Sequence, residues 1–117
     1  EAVCPVDPGF RHYYLSPRRC AVNLIRTAEI PAGALGRNRA FQMPGRTWAI
    51  AEMIEAMTRV AGPDPARLIR WEENSAIRRI VDGWRWDVRA DRALSLGLEA
   101  DESFEDNVRF YLEDDRG

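Results

Sequence analysis

The clearest pattern in this sequence is a stretch in which apolar residues return every three or four positions. It runs from Ile50 to Ala61, with charged side chains on the opposite side, and Gly62 and Pro63 follow it. Because glycine readily adopts the conformation that ends a helix and proline cannot continue one, the pattern predicts a helix over Ile50–Ala61. Weaker versions of the pattern predict helices at residues 17–30, from residue 75 onward, at residues 90–96 and after Ser103.

The helix at residues 17–30 has a start signal written in consecutive residues. Ser16 suits the N-cap and Pro17 suits the first helical position, because proline lacks the N–H that would be unpaired there. Ser16, Pro17 and Arg18 thus form a polar turn at the helix start, here named the elbow. An apolar stripe follows at helical spacing and is expected to face the core: Cys20, Ala21, Leu24, Ile25 and Ala28.

Three short segments have the composition of β-strands, namely residues 10–15, 40–43 and 68–72. No internal repeat and no βαβ unit of adequate length connects them. As an isolated piece, residues 1–117 are therefore expected to form a single, mainly helical α+β unit. Strands this few and short make a poor sheet, so we expect them to complete a sheet whose other strands lie outside this chain.

The two ends of the chain carry less pattern. Residues 1–9 contain Pro5 and Pro8 and are expected to be an extended approach. The acidic tail, residues 113–117, is expected to fray. The chain begins at Glu1 without an initiator methionine, which we interpret as the cut end of a longer protein.

Composition narrows the functional classes. With 45% hydrophobic residues and a net charge of -2, the chain has the balance of a soluble globular protein. Its 17 basic residues are all arginine and are interspersed among 19 acids, which is not the clustered charge of a nucleic-acid-binding surface. No apolar run is long enough to span a membrane and no signal peptide is present, so a cytoplasmic location is expected.

The residues that could hold a metal are few. Cys4 and Cys20 are too far apart for a CxxC pair, and His12 is the single histidine. We therefore expect two reduced thiols and no metal site.

Three segments follow one another in an order that resembles a known family. They are HYYLSPR at residues 12–18, MPGRTWAIAEMI at residues 43–54, and Gly83-Trp84 followed by RALSLGL at residues 92–98. Together they resemble the C-terminal part of an extended short-chain dehydrogenase of the NAD-dependent epimerase/dehydratase family. The Ser-Pro-Arg elbow and the acidic finish are most similar to the group that oxidises the four-carbon sugar acid D-erythronate with NAD. Arg85 and Ala49 depart from the family pattern, which usually has a proline and a capping Ser or Thr there.

The resemblance implies an α/β parent enzyme in which an NAD-binding Rossmann domain precedes this substrate-binding portion. The glycine-rich dinucleotide fingerprint and the Tyr-x-x-x-Lys catalytic pair of the family do not occur in these residues, and the chain contains no lysine. The implied partners are the missing N-terminal Rossmann domain and a small sugar acid. The fragment alone is expected to be inactive, to bind no NAD, and to supply no catalytic residue.

Four residues around the elbow are candidates for substrate binding. An arginine can hold a carboxylate bidentately, which favours Arg18, although an ion pair with a nearby Asp or Glu is an alternative. Ser16 is a candidate through its hydroxyl, although helix capping alone explains it. His12 and Tyr14 share one face of the predicted strand and could meet a polyol, whereas Tyr13 points the other way into packing.

Other functions remain open at this point. Within the same class, the parent could be a uronate dehydrogenase or a nucleotide-sugar epimerase or dehydratase. In another class, the chain could be a free-standing helical module that binds a protein partner or forms a homodimer. A fragment would expose an apolar surface larger than a monomer normally shows, and a free-standing module would not.

Overall fold

A computed structural model describes residues 1–116 as a thin body with extents of 50 × 35 × 17 Å. Helices supply most of its regular structure, and the strands are three or four residues long. None of the helices in residues 1–116 is long and apolar enough to cross a membrane. In chain order the elements are β1 (Ala2–Cys4), β2 (Arg11–Tyr14), α1 (Pro17–Glu29), α2 (Ala32–Leu35), β3 (Arg46–Ala49), α3 (Ile50–Ala61), α4 (Asp64–Arg67), β4 (Ile69–Trp71), α5 (Ser75–Val81), α6 (Asp91–Ser95) and α7 (Phe104–Asp114).

The strands form two separate two-stranded ladders. β1 pairs with β4 in parallel, with Ala2 opposite Ile69, and β2 pairs with β3 antiparallel, with His12 opposite Trp48. The ladders confirm the predicted strands around residues 10–15 and 68–72. β1 lies in the segment that was expected to be only an extended approach.

The predicted strand at residues 40–43 is wrong for this chain. The strand lies instead at Arg46–Ala49, just after the Pro44-Gly45 turn. The Tyr13 hydroxyl donates to the Met43 carbonyl at 2.8 Å and accepts from the Gly45 N–H at 2.5 Å, so the turn is fixed against β2. β3 can pair only beyond that turn, and residues 40–43 are left without a neighbouring strand.

α1 begins as its sequence predicts but buries the opposite side. Ser16 accepts a hydrogen bond from the Arg19 N–H at 3.1 Å, and the helix ends before Ile30. The expected core face is wrong: Leu24 is 58% exposed and Ile25 64%, whereas Asn23 is fully buried. The reason is a pair of hydrogen bonds, because the Asn23 side chain donates to the Glu99 carbonyl and accepts from the Glu99 N–H.

α3 confirms the strongest prediction, with the bounds Ile50–Ala61. At its start, the Glu52 carboxylate accepts from the Ala49 N–H at 2.7 Å, which is the half of a capping box that needs no Ser or Thr at position 49. At its end, Gly62 has a φ of 82°, a conformation that other residues rarely adopt. α3 packs against α7, and among the described residues it contributes Ala56 to the small buried core.

Local start or stop signals mark α5, α6 and α7, whereas the one-turn helices α2 and α4 have no side-chain cap and were not predicted. Asn74 caps α5, with its side chain accepting from two backbone N–H groups, and Gly97 ends α6 with a φ of 85°. The Ser103 N–H donates to the Asp106 carboxylate at the start of α7. The prediction that residues 113–117 fray is wrong for Glu113 and Asp114, which are helical and paired to Arg18.

We expect Asn23→Ala to lower the free energy of unfolding by about 2 to 4 kcal/mol, because it removes a fully buried side chain and leaves the part-buried N–H and C=O groups of Glu99 without their partner. Urea denaturation followed by circular dichroism measures this change. Asn38→Ala is the matched control: its amide is in an exposed loop, and we expect a loss below about 1 kcal/mol. Equal losses in the two variants would contradict the role given to Asn23.

Candidate functional site

The elbow joins α1 to the segment that leads into α7. Ser16 is 1% exposed, and its hydroxyl donates to Asp101 Oδ1 at 2.6 Å while its N–H donates to Asp101 Oδ2 at 2.7 Å. The same hydroxyl oxygen accepts from the Arg19 N–H. The Ser16 side chain is therefore engaged as donor and as acceptor within the protein.

Asp101 is a site residue that the sequence analysis missed. It is 2% exposed, and its carbonyl oxygen accepts from Arg46 Nε at 2.6 Å, so one residue connects the elbow, β3 and the approach to α7. Its partner Ser16 lies 85 positions away in the chain. No local pattern could have shown this pairing, because a lone aspartate before a capping box looks the same whether it is buried or solvated.

Arg18 is held by the C-terminal end of α7. Its Nε and Nη2 donate to the two carboxylate oxygens of Asp114, at 2.9 and 2.5 Å, and Nη2 also donates to Glu113 at 2.8 Å. The guanidinium carbon lies 4.2 Å from the centroid of the Phe110 ring. The hydrogen bonds that Arg18 donates to Asp114 and Glu113 raise the pKa of Arg18, and those donated to Asp114 lower the pKa of Asp114. The ion pair that was the alternative for Arg18 is thus formed, and its contact with a substrate stays a prediction.

His12 and Tyr14 lie on the same face of β2, as the strand period predicts. Their ring centroids are 5.3 Å apart in an edge-to-face arrangement, and Tyr13 faces the opposite side. His12 packs against Trp84 at 5.0 Å, and Tyr14 against Phe104 at 6.1 Å. Burial raises the pKa of Tyr14.

One polar atom on this face has no partner. His12 Nδ1 is buried and forms no hydrogen bond with any residue in the part of the chain that the structure describes. The four candidate residues therefore lie in different surroundings. His12 and Tyr14 share an aromatic surface on β2, whereas Ser16 is enclosed in the joint with Asp101 and Arg18 is paired to the end of α7.

A separate concave feature is an open apolar groove of 330 Å³ between the β1–β4 ladder, α3 and α7. Its chemistry does not suit a sugar acid, because it offers few hydrogen-bonding groups. The groove is lined chiefly by Val3, Ile50, Met53, Ile54, Met57, Ile69, Phe104 and Val108.

The thiols of Cys4 and Cys20 are free, and residues 1–116 contain no group of three or more His, Cys, Asp or Glu that could hold a metal.

This arrangement of elements is that of the C-terminal part of a sugar epimerase or dehydrogenase. The nucleoside-diphosphate-sugar epimerase of Agrobacterium tumefaciens superposes with a TM-score of 0.94 at 40% identity, over 100% of this chain and 34% of that one. The fold also matches L-threonine 3-dehydrogenase of Trypanosoma brucei, with a TM-score of 0.78 at 19% identity over 95% of this chain and 34% of that one. The sequence matches no family model.

Among proteins compared by sequence, the chain is similar to D-erythronate dehydrogenase. It is 39% identical to the Cupriavidus necator enzyme over 113 residues, which cover 97% of this chain and 35% of that protein. It is 28% identical to the Haemophilus influenzae enzyme over 115 residues, covering 98% and 36%. The chain thus spans about a third of the length of the relatives it matches. These matches confirm the predicted resemblance to the C-terminal part of an extended short-chain dehydrogenase, most like D-erythronate dehydrogenase.

The pair between Arg18 and α7 predicts a specific dependence of stability on pH. Because Arg18 lowers the pKa of Asp114 below its ordinary value of 3.8, the stabilisation is fully present above 3.8 and is lost as the pH falls through the lower, folded-state pKa. The difference in unfolding free energy between the wild type and Arg18→Gln should therefore be constant near neutral pH and shrink below 3.8. Urea denaturation at a series of pH values measures this difference.

Arg85→Gln is the control for the loss of charge alone, because within residues 1–116 Arg85 pairs only with Asp87, two residues along an exposed segment. The unfolding free energy of Arg85→Gln should differ little from that of the wild type at every pH tested. A difference for Arg18→Gln that stays constant down to the lowest pH tested would refute the assignment of this dependence to Asp114.

Proposed function

We propose that this chain is the substrate-binding C-terminal part of an NAD-dependent dehydrogenase that oxidises a small sugar acid of the D-erythronate type. The observation that carries the proposal is the 39% identity to D-erythronate dehydrogenase across 97% of the chain. In this proposal residues 1–117 form one substrate-binding portion, and an NAD-binding domain precedes it. The role of this portion is to bind and orient the acid.

The described residues do not offer a cradle for NAD. A dinucleotide site places a glycine-rich turn between a strand and a helix, where backbone N–H groups can approach the phosphates. The glycines with positive φ in this structure, Gly36, Gly62 and Gly97, instead follow the C-terminal ends of helices. Cofactor binding is therefore assigned to the part of the relatives that this chain does not match.

His12 and Tyr14 are proposed to meet the hydroxyl groups of the acid. Supporting this role, the buried His12 Nδ1 has no protein partner among the described residues, and a substrate hydroxyl could supply one. Tyr14 adds a hydroxyl beside the same ring on the same strand face. Aromatic rings around both residues would limit the access of water to a bound polyol.

Arg18 is proposed to hold the carboxylate of the acid. Its guanidinium matches a carboxylate in geometry, as its two contacts with Asp114 demonstrate. A substrate carboxylate would have to replace Asp114 or Glu113, so substrate and α7 would compete for the same donors. This competition makes the proposal testable, because freeing Arg18 and deleting Arg18 have opposite effects. Ser16 would act only by holding the elbow in place.

The test uses this chain fused to the unmatched part of Cupriavidus necator D-erythronate dehydrogenase, here named the fusion protein. If Arg18 binds the acid, Arg18→Ala should raise the KM for D-erythronate by roughly 30-fold or more, because a charged partner of the carboxylate is lost. Asp114→Asn should lower the KM or leave it unchanged, because it frees the guanidinium. The KM for NAD should not move in either variant. The absorbance change on reduction of NAD measures the KM for D-erythronate and the KM for NAD in each of the two variants.

If Arg18 serves only to attach α7, the two variants should behave alike. Both would lower the melting temperature by similar amounts, and neither would change the KM for the acid. That outcome would remove Arg18 from the substrate site. A fusion protein that folds and does not oxidise D-erythronate or a related sugar acid would overturn the proposed function itself.

A nucleoside-diphosphate-sugar epimerase is the second candidate. The observation in its favour is the TM-score of 0.94 and the 40% identity to the Agrobacterium tumefaciens protein of that name. An epimerase of that kind needs a wider cleft and further groups to hold a diphosphate. Incubating the fusion protein with a nucleoside-diphosphate sugar, and analysing the sugar configuration, separates this candidate from net oxidation of a sugar acid.

A further inference from the structure

Another concave feature lies beside β2, between the start of that strand and the segment that follows α5. It has a volume of 260 Å³ and is here named the β2 cleft. Unlike the apolar groove, it is lined by both aromatic and charged side chains, which is the mixture found in sites for small polar ligands. These side chains include Asp7, Arg78, Asp82, Trp84 and Trp86.

Trp84 contacts both the β2 cleft and the His12 ring. The centroids of the indole and the imidazole lie 5.0 Å apart, with the two planes inclined by 41°. The same indole lines the β2 cleft, and His12 is not among the residues around that cleft. Trp84 thus lies between the cleft and the buried His12 Nδ1, which has no partner within residues 1–116. Without the indole, the space beside His12 and the cleft would become continuous.

The segment that carries Trp84 is held on both sides of that residue. Before it, Arg78 of α5 forms an ion pair with Asp7, in the segment that leads into β2. After it, the Thr47 hydroxyl of β3 donates to the Trp86 carbonyl at 2.5 Å. A side chain whose backbone is fixed in this way can define the shape of a site, because little freedom is left to be lost when a ligand binds.

Packing within the described residues does not account for Trp84. Its side chain is 52% exposed, whereas a tryptophan that serves the core is on average highly buried. A large aromatic ring fixed beside a polar atom that lacks a partner is instead suited to be the wall of a ligand site.

We propose that Trp84 determines the length of the sugar acid that the site beside His12 accepts. The indole forms one wall of that site, so an acid of the length of D-erythronate fits and a longer acid meets the ring. Arg78 is a positioning residue, because its pairing with Asp7 holds the wall in place. The inference rests on the proposed function, since that function supplies the acid.

The selectivity of such a wall is measurable. One extra or missing carbon unit in a shaped pocket is typically worth about 10- to 200-fold in kcat/KM. Removing the indole should lower the activity on a short acid, because that acid loses its contact with the ring. The relative activity on a longer acid should rise, because the longer acid gains the volume of the β2 cleft.

The test compares D-erythronate with D-ribonate, which keeps the configuration at C2 and C3 and is one carbon longer, as substrates of the fusion protein. Trp84→Ala should raise the ratio of kcat/KM for D-ribonate to that for D-erythronate by about tenfold or more. Trp84→Phe keeps a ring and should restore most of the wild-type ratio. Trp84→Leu should raise the ratio in the same direction and replaces Trp84→Ala if that variant does not fold.

Trp71→Ala is the matched control for Trp84→Ala. Trp71 is 44% exposed, and in the described structure it neither lines the β2 cleft nor stacks on His12. Its replacement should leave the ratio unchanged, even if it lowers the melting temperature of the fusion protein.

Arg78→Gln tests the positioning role. It should shift the ratio in the same direction as Trp84→Ala and by a smaller factor, because the ring remains but loses its fixed place. Arg59→Gln is the control, since Arg59 also pairs with two carboxylates, those of Glu55 and Glu105, and does not line the β2 cleft. The ratio should not change in that variant.

Equal losses on both acids in Trp84→Ala, with an unchanged ratio, would overturn the inference and reduce the indole to a support of the fold. If the wild-type fusion protein oxidises D-erythronate in that case, the proposed function stands and only the inference fails. A wild-type fusion protein that folds and oxidises no sugar acid would overturn both.

Discussion

The arrangement of this chain depends on one buried carboxylate. Asp101 accepts two short hydrogen bonds from Ser16, and its own backbone carbonyl accepts from Arg46. Removing a carboxylate from water is unfavourable unless charged or polar donors replace the lost hydration, and here the elbow supplies them. The start of α1, the first residue of β3 and the approach to α7 are consequently held at one point.

The elbow holds α7 near both of its ends. Ser16 binds Asp101 just before the helix begins, and Arg18 binds Asp114 and Glu113 where the helix ends. The second attachment is more exposed to solvent than the first, so it is expected to be the weaker of the two. A bound acid that took Arg18 away from α7 would therefore release the end of the helix while its start stayed fixed.

The thin shape of the body explains why many large apolar side chains are exposed. The described residues extend only 17 Å along the shortest axis, and the buried apolar set is small. Large apolar side chains such as Leu24, Ile80 and Trp84 remain at the surface. The chain covers about a third of the length of its relatives, and in the proposed longer protein this apolar surface would meet the remainder.

Local sequence signals located the start of α1, the end of α3 and the start of α5, because caps are interactions within a few residues: Ser16 with the Arg19 N–H, Gly62 after α3, and Asn74 before α5. The period of two also placed His12 and Tyr14 on one face. The tertiary structure alone decided which side of α1 is buried, because that depends on Glu99, 76 positions from Asn23. It likewise decided the carboxylate partners of Ser16 and Arg18 and left residues 40–43 unpaired. A strand, a buried acid and an ion pair each require a partner from a distant part of the chain, and no local pattern specifies it.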